Sequence, residues 1–277
     1  DLATLRDSIT SGNSESPLNR VAPVTACGQS IKILGTLNTE NGIKALKNSG
    51  AQNIGLVRSE TLMFLGKKRD QWPDEDQQTK ILIDLATKFS PGTITIRTVD
   101  LGGDKWDPSC GEIPGGTDSK LGLKSTRWAL SNPEFFASHL SAIIRAQAEV
   151  KNIYPMFPMI SDLGEFRQAK DLMEAQVVRL IENGTISKRP PLKIGAMIET
   201  PAAALEIRKI LKEADFASIG LSDLTQLTLA ADRDVAAVNH SFLPYHPANL
   251  KLMKDVVVAA KELNKPVSVC GELVSHR

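Results

Sequence analysis

Cysteine, histidine and aromatic residues are scarce in this sequence. Its 277 residues include three cysteines and four histidines, and Phe, Trp and Tyr together make up 5%. The cysteines stand at positions 27, 110 and 270, and this wide, odd spacing argues against a disulfide framework and against a zinc site. The histidines show no ligand spacing either. We therefore expect a cytoplasmic protein, kept in a reducing environment.

The sequence also lacks an excess of charge and a long apolar run. Lys and Arg number 33 against 32 Asp and Glu, which gives a net charge of +1. No overall field favours nucleic acid or an anionic membrane, so any anion site has to be a local cluster. No apolar run approaches the length of a spanning helix, and no signal-peptide pattern is visible. We expect neither a nucleic-acid partner nor a membrane attachment.

Short apolar runs alternate with helical patterns along most of the chain. The first segment, 1–25, is polar, and we expect a linker or the tail of a preceding segment there, followed by one domain over 26–277. Strands are predicted at 31–34, 54–57, 94–98, 153–157, 194–198, 216–219 and 267–269. Helices are predicted at 39–49, 75–89, 133–148, 162–182, 201–213 and 247–263. Several of these helices begin at a proline or follow a capping residue.

Seven strand–helix steps predict an α/β protein, specifically a (β/α)8 TIM barrel. No eighth strand pattern follows the seventh, so the eighth βα unit of such a barrel is missing from this sequence. An open doubly wound sheet is the alternative architecture.

Polar side chains stand where the predicted strands end, the edge that carries catalytic groups in a barrel. Two apolar runs within 194–226 end at Glu199 and Asp223, with a helix opened by Pro201 between them. Parallel pairing would bring both carboxylates to one edge, where two hard oxygen ligands make a candidate Mg²⁺ site. Capping of the following helices is the competing interpretation.

Cations and a thiol stand at the other strand ends. Arg58 and Arg97 directly follow apolar runs, and guanidinium groups bind phosphate and carboxylate bidentately. Ion pairs with Glu60 and Asp100 are the alternative role for these arginines. Cys270 ends the last strand, where both a proton donor and an inert core thiol are open interpretations.

One glycine-containing loop, at 98–105, could approach a ligand closely and ends in Lys105. Neither a GxxxxGK[ST] nor a GxGxxG motif after a strand is present, which argues against a P-loop and a dinucleotide site.

Taken together, these stretches resemble the C-terminal barrel of the phosphoenolpyruvate-utilising enzymes, the family of enzyme I of the sugar phosphotransferase system, pyruvate phosphate dikinase and phosphoenolpyruvate synthase. The matching stretches follow the family's order over nearly all of 30–277. They are IGLVRSETLMF (54–64), TIRTVDLGGDK (95–105), LGLKSTRWAL (121–130), YPMFPMIS (154–161), IGAMIETPAAA (194–204), IGLSDLTQLTLAADR (219–233) and VCGEL (269–273).

The resemblance implies a role for each candidate residue. Glu199 and Asp223 fall on the family's two Mg²⁺ ligands, and Cys270 falls on the cysteine that protonates the enolpyruvate carbon. Arg58 and Arg97 belong to the same catalytic set. The residues implied in binding phosphoenolpyruvate or pyruvate are Arg58, Arg97, Arg233, Ser222, Asp223 and Lys124. The family further implies a phosphotransferase of the cytoplasm and a homodimer.

Four positions depart from the family's pattern. Ser222 stands where the family has Asn, and Lys124 stands where it has Arg, so a point charge replaces a bidentate fork. The changes at Ser59, where Thr is usual, and at Thr36, where Asn is usual, are milder. We expect a retuned or weakened site.

The family transfers the phosphoryl group to a histidine within a T-x-G-G-x-x-S-H stretch on a separate domain, and this sequence has no such stretch. His139, His240, His246 and His276 stand in other contexts. We therefore expect a phosphohistidine domain in cis or in trans. Two alternatives are a non-catalytic, regulatory phosphoenolpyruvate-binding module and a Mg²⁺-dependent lyase or aldolase acting on a 2-oxo acid, the latter by fold analogy.

Overall fold

The computed structural model of the chain describes residues 24–25, 27–38, 41–63, 72–101 and 121–271. Several predicted features lie outside this part, and they stay predictions. They are the polar segment up to residue 23, the glycines and Lys105 of the 98–105 loop, Cys110 and His276. The domain boundary expected at residue 25 also stays a prediction.

Seven parallel strands form one sheet in which spatial order follows chain order. The strands are β1 (Gly35–Leu37), β2 (Ile54–Arg58), β3 (Ile94–Arg97), β4 (Ile153–Phe157), β5 (Gly195–Ile198), β6 (Phe216–Gly220) and β7 (Val267–Cys270). Because β7 comes back into contact with β2, the sheet is curled rather than open. The described residues thus form a curled, parallel α/β barrel sheet of seven strands, which confirms the predicted fold class.

Helices connect the strands, as parallel pairing requires. They are α1 (Asn41–Asn48), α2 (Ser59–Met63), α3 (Glu75–Phe89), α4 (Ser125–Ser131), α5 (Pro133–Val150), α6 (Leu163–Glu182), α7 (Pro201–Leu205), α8 (Ile207–Glu213), α9 (Leu221–Leu229) and α10 (Pro247–Glu262). Several ends carry the expected signals. Asp74 and Asp162 accept backbone hydrogen bonds as the N-caps of α3 and α6, and Pro133 and Pro247 open α5 and α10.

The prediction of the first strand was wrong. The apolar run 31–34 precedes the strand, and Ile31 and Ile33 are 50% and 76% exposed. The strand lies instead over Gly35–Leu37. Gly35 packs so closely on Leu46 that a Cβ there would lie 2.8 Å from the Leu46 side chain. The absence of a side chain at Gly35 therefore lets α1 approach the sheet.

Helix predictions failed in two ways. The helix predicted at 201–213 is broken between α7 and α8 at Glu206, which caps α8 with φ −90° and ψ 7°. The short helices α2, α4 and α9 were not predicted.

Apolar side chains fill both faces of the sheet. On its outer face, one cluster of buried apolar residues joins β1–β4 to α1, α3 and α5. A larger cluster joins β4–β6 to α5–α10. Inside the curl, Leu56, Met156 and Met197 pack together, with Phe216 and Cys270 against them. The packed interior fixes the strands, so that their carboxyl ends meet along one rim. Within the described ranges, the helices are all too short or too polar to cross a membrane.

Candidate active site at the carboxyl ends of the strands

Glu199 follows β5 and is 2% exposed. Its Oε1 accepts a hydrogen bond from the backbone N–H of Met159 at 2.8 Å. Met159 has a φ of 50°, an uncommon conformation for a residue with a side chain, in the loop after β4. Thr200, rather than Glu199, caps α7 by accepting from the Ala203 N–H at 3.1 Å. The capping interpretation therefore does not hold for Glu199.

The other oxygen of Glu199 reaches towards the next strand. A Cβ built on Gly220, the last residue of β6, would lie 2.5 Å from Glu199 Oε2. The carboxylate thus occupies the space that a side chain at this position would fill. Because β6 leads directly into α9, this contact brings Glu199 to the strand end that carries Ser222 and Asp223.

Asp223 lies in the first turn of α9 and is partly buried. Ala230 ends that helix in a left-handed conformation. Arg233 then lies with its Nη2 3.9 Å from Asp223 Oδ1. Ser222 lies against β7, because a Cβ at Gly271 would be 3.0 Å from Ser222 Oγ. The structure therefore brings these three predicted residues to the rim between β6 and β7.

Arg97, at the end of β3, is buried among carboxylates. Its guanidinium forms an ion pair with Glu60, and its Nη1 lies 2.8 Å from Asp100 Oδ2. Burial opposes its charge, but Asp100, Glu60 and Glu199 together raise the pKa of Arg97 above its ordinary value. Asp100 also accepts a hydrogen bond from the Ser125 hydroxyl. The ion-pair alternative from the sequence is thus realised for Arg97, which places a permanent cation near Glu199.

Arg58, at the end of β2, pairs in register with Arg97 across the two strands. It forms no ion pair with any described acid, and its buried Nε has no hydrogen-bond partner in the described part of the chain. A buried N–H donor without a partner is costly. Arg58 therefore has donor capacity that an anionic ligand could use.

Cys270, the last residue of β7, is a free thiol on the inner side of the curl. Burial raises its pKa to about 11, a hydrogen bond from Ser218 lowers it, and the charges of Glu199, Arg97 and Arg58 also act on it. The thiol is therefore protonated at neutral pH. Because these three charges reach Cys270, the ends of β2, β3 and β5 face the same interior space as β7.

Lys124 precedes α4 and is only 6% exposed. It lines an open cleft together with Met159, whose backbone N–H binds Glu199, and Thr200, which follows Glu199 in the sequence. No ion pair connects Lys124 to the rest of the described structure. This ammonium group therefore borders the Glu199 side of the rim.

The donor set suits Mg²⁺. Glu199 and Asp223 would supply carboxylate oxygens. The described residues contain no group of three or more His, Cys, Asp or Glu side chains that could hold a metal ion. Mg²⁺ is commonly held by one or two carboxylates, with water and substrate phosphate as its other ligands. The close approach of Glu199 to Gly220 brings one carboxylate towards the strand end that bears the other.

Three contributors to this rim were not predicted from the sequence. Met159 acts through its backbone N–H, Gly220 through its lack of a side chain, and Ser218 through its bond to Cys270. Ser218 lies inside an apolar run, and its polarity there was an available signal. The conformation of Met159 leaves no mark in the sequence.

Comparison with known proteins gives sequence matches over nearly the whole chain. The model of the PEP-utilising enzymes, PEP-binding domain, matches residues 13–277. Phosphoenolpyruvate-protein phosphotransferase of Listeria monocytogenes is 35% identical over 254 residues, 92% of this chain and 43% of that protein. The enzyme of the same name from Buchnera aphidicola is 37% identical over 265 residues, 96% of this chain and 45% of that protein. The chain thus spans less than half the length of these relatives.

Among solved structures, an HpcH/Hpal aldolase/citrate lyase family protein from Burkholderia cenocepacia J2315 has a TM-score of 0.48 and 14% identity, over 88% of this chain and 80% of that one. The sequence matches, by contrast, cover nearly the whole chain at more than a third identity. This chain therefore belongs to the PEP-utilising enzyme family and corresponds to its PEP-binding domain.

Proposed function

We propose that this chain binds phosphoenolpyruvate and pyruvate together with Mg²⁺, and that it takes part in phosphoryl transfer to a histidine on a separate domain, in cis or in trans. The observation that carries the proposal is that Arg58 and Arg97, in register at the ends of β2 and β3, lie at the rim that also carries Glu199 and Cys270. The relatives' name, phosphoenolpyruvate-protein phosphotransferase, supports the same substrate and reaction class.

Each group has a task that its chemistry allows. Arg58, which has an unused buried donor, would bind the phosphate, because a guanidinium fork matches phosphate oxygens. Arg233 and Lys124 would add positive charge from the β6 and β4 sides of the rim. Arg97, held by Glu60 and Asp100, would contribute a fixed positive field. Preorganised charges of this kind supply most of the catalysis in phosphoryl transfer.

Glu199 and Asp223 would hold Mg²⁺, with Ser222 beside them. The metal would neutralise charge on the phosphoryl group and on the enolate oxygen. Cys270 would give its proton to the methylene carbon of the enolate as pyruvate forms. A thiol with its pKa raised to about 11 is held in the protonated form, which this step requires.

The first test is calorimetric titration of phosphoenolpyruvate into the chain, with Mg²⁺ and then with EDTA. We expect binding that requires Mg²⁺. Glu199→Gln should abolish the Mg²⁺ dependence, and Arg58→Ala should weaken binding by at least tenfold, since each removes a charged ligand.

Matched control variants are Arg208→Ala and Glu262→Gln. Arg208 and Glu262 form an exposed ion pair between α8 and α10, away from the rim, and both variants should bind as the unaltered chain does. Tight binding by Glu199→Gln, or equal binding in EDTA, would contradict the metal assignment. Binding by the unaltered chain, but no phosphoryl transfer to any supplied histidine domain, would favour a regulatory module.

A further inference from the structure

Two serine hydroxyl groups lead to Cys270 along the inner side of the sheet. Ser268 Oγ donates to Ser218 Oγ at 3.0 Å, and Ser218 Oγ donates to Cys270 Sγ at 3.6 Å. Ser218 pairs in register with Ser268, and Gly220 pairs with Cys270. Because alternate residues of a strand share a face, this chain of hydroxyl groups runs up the inside of β6 and β7 towards the rim.

The direction of these bonds matters for the thiol. Ser268 occupies the oxygen of Ser218 as donor, so the Ser218 proton is directed at the sulfur. The S–H group of Cys270 therefore does not donate to Ser218, and it can donate to a substrate at the rim. Ser218 is 1% exposed, so no described feature gives solvent a competing route to its hydroxyl group.

We propose that Ser218 is a positioning residue for proton transfer by Cys270, and that Ser268 holds the Ser218 hydroxyl group in its donating orientation. The proposal rests on the proposed function, in which Cys270 is the acid. It adds two residues to that reaction, both of which act through Cys270.

In the proposed step, Cys270 protonates the enolate of pyruvate. The S–H bond of Cys270 breaks and its electron pair stays on sulfur, while the electron pair of the enolate forms a C–H bond at the methylene carbon. The product is the methyl group of pyruvate. The proton of Ser218 remains on Ser218 and stabilises the thiolate. Water at the partly exposed Cys270 then returns a proton to sulfur.

The Ser218 hydroxyl group helps to stabilise the thiolate form of Cys270 against unfavourable surroundings. Burial and the negative charge of Glu199 disfavour the thiolate form of Cys270, whereas the positive charges of Arg97 and Arg58 favour it. Ser218 is the neutral donor in direct contact with the sulfur. Its loss should therefore make the thiolate harder to form at the same metal and substrate sites.

Alkylation by iodoacetamide measures thiolate formation directly, because the thiolate is the reactive form. We would follow Cys270 by mass spectrometry across pH 7–11 in the unaltered chain, Ser218→Ala, Ser268→Ala and Ser218→Thr. Ser218→Ala should slow alkylation of Cys270 several-fold at pH 9 and move its profile to higher pH. Ser268→Ala should act in the same direction but less, and Ser218→Thr should restore the rate.

Two controls are built into the chain. Cys27 is exposed, and its hydrogen bond with Thr25 lowers its pKa; its alkylation should be the same in every variant. Ser141 is fully buried in the helical layer, where it bonds to Ala137, so Ser141→Ala tests the effect of deleting any buried hydroxyl group. Alkylation of Cys270 at an unchanged or higher rate in Ser218→Ala would overturn the proposal.

A second measurement separates this proposal from the function on which it rests. Exchange of the pyruvate methyl protons in D₂O with Mg²⁺ reads the same transfer in reverse, and it should be several-fold slower in Ser218→Ala. Binding of phosphoenolpyruvate should be unchanged in that variant. If the unaltered chain neither exchanges nor binds, the proposed function fails; if it does both and Ser218→Ala exchanges equally fast, only the role of Ser218 fails.

Discussion

At the scale of single residues, the candidate site depends on a carboxylate held between a backbone N–H and a glycine. Met159 holds Oε1 of Glu199, and Gly220 leaves room for Oε2. Neither contact uses a side chain of the neighbouring residue. The position of Glu199 is therefore set by backbone geometry on both sides.

Gly220→Ala should displace this carboxylate without unfolding the chain. Gly220 has φ −85°, which alanine tolerates, but the new Cβ would lie 2.5 Å from Glu199 Oε2 and 3.1 Å from Glu199 Cβ. Loss of ligand orientation typically costs 10–100-fold in metal affinity. We expect Mg²⁺-dependent phosphoenolpyruvate binding to weaken by at least about tenfold, measured by calorimetry, with the circular dichroism spectrum unchanged.

Gly164→Ala is the matched control for that substitution. Gly164 lies in the first turn of α6, where a Cβ would meet only Asp162 Oδ1 at 3.0 Å, so binding should be retained. Full Mg²⁺-dependent binding by Gly220→Ala would mean that Glu199 does not need its present position.

Much of the site was predictable from residue type at strand ends. Glu199, Arg58 and Cys270 were found because a polar residue directly after an apolar run is placed at the rim by any parallel barrel. Which of the two arginines keeps an unused donor was not predictable, because the pairing of Arg97 with Glu60 depends on the distance between neighbouring strand ends. These site assignments stay predictions until binding is measured.

At the scale of whole elements, α3 and α5 are joined by a buried histidine. His139 Nδ1 lies 2.7 Å from Gln78 Oε1, and its Nε2 has no hydrogen-bond partner among the described residues. The Trp72 ring lies edge-on at 6.1 Å between centroids. Burial lowers the pKa of His139 to about 4, so the two helices are packed around a neutral imidazole.

Acid should therefore loosen this helix pair. Between pH 6.5 and about 4 the unfolded chain binds a proton at His139 that the folded chain does not, so stability falls as pH falls through this window. The difference corresponds to about 3 kcal/mol of unfolding free energy at pH 4. Urea unfolding from pH 4 to 8 measures it, and His139→Gln should flatten the profile by that amount.

His240→Gln is the control, because His240 is exposed, and it should keep the pH profile of the unaltered chain. An equally steep loss of stability in His139→Gln would assign the acid sensitivity to other groups.

Element boundaries show where the sequence was informative. The helix predicted at 75–89 matches α3, and β4 matches the predicted strand at 153–157, because strong apolar patterns and clear caps coincide there. The break at Glu206 carries neither Gly nor Pro, and β1 contains a glycine where an apolar residue would be expected. Both were set by packing between elements rather than by local pattern.

At the scale of the whole molecule, the rim is assembled from both outer core clusters. Arg58 and Arg97 end strands of the first cluster, whereas Glu199 and Asp223 follow strands of the second. The order of the seven described strands followed from the alternation of patterns along the sequence. The curl of the sheet, which lets β7 contact β2, followed only from the barrel interpretation.

A ligand that contacts the arginines of the first cluster's strands and the carboxylates of the second cluster's strands should stabilise the entire fold. At a phosphoenolpyruvate concentration 100 times its Kd, with Mg²⁺ present, linkage adds about 2.7 kcal/mol to the unfolding free energy. For a domain of this size that shifts Tm upwards by roughly 5–10 °C. Differential scanning calorimetry measures the shift, and EDTA or Glu199→Gln should remove it while Arg208→Ala should not. A shift that survives EDTA would show that the stabilising ligand binds without the metal, and a shift absent from the unaltered chain would mean that the two halves of the rim do not share one ligand.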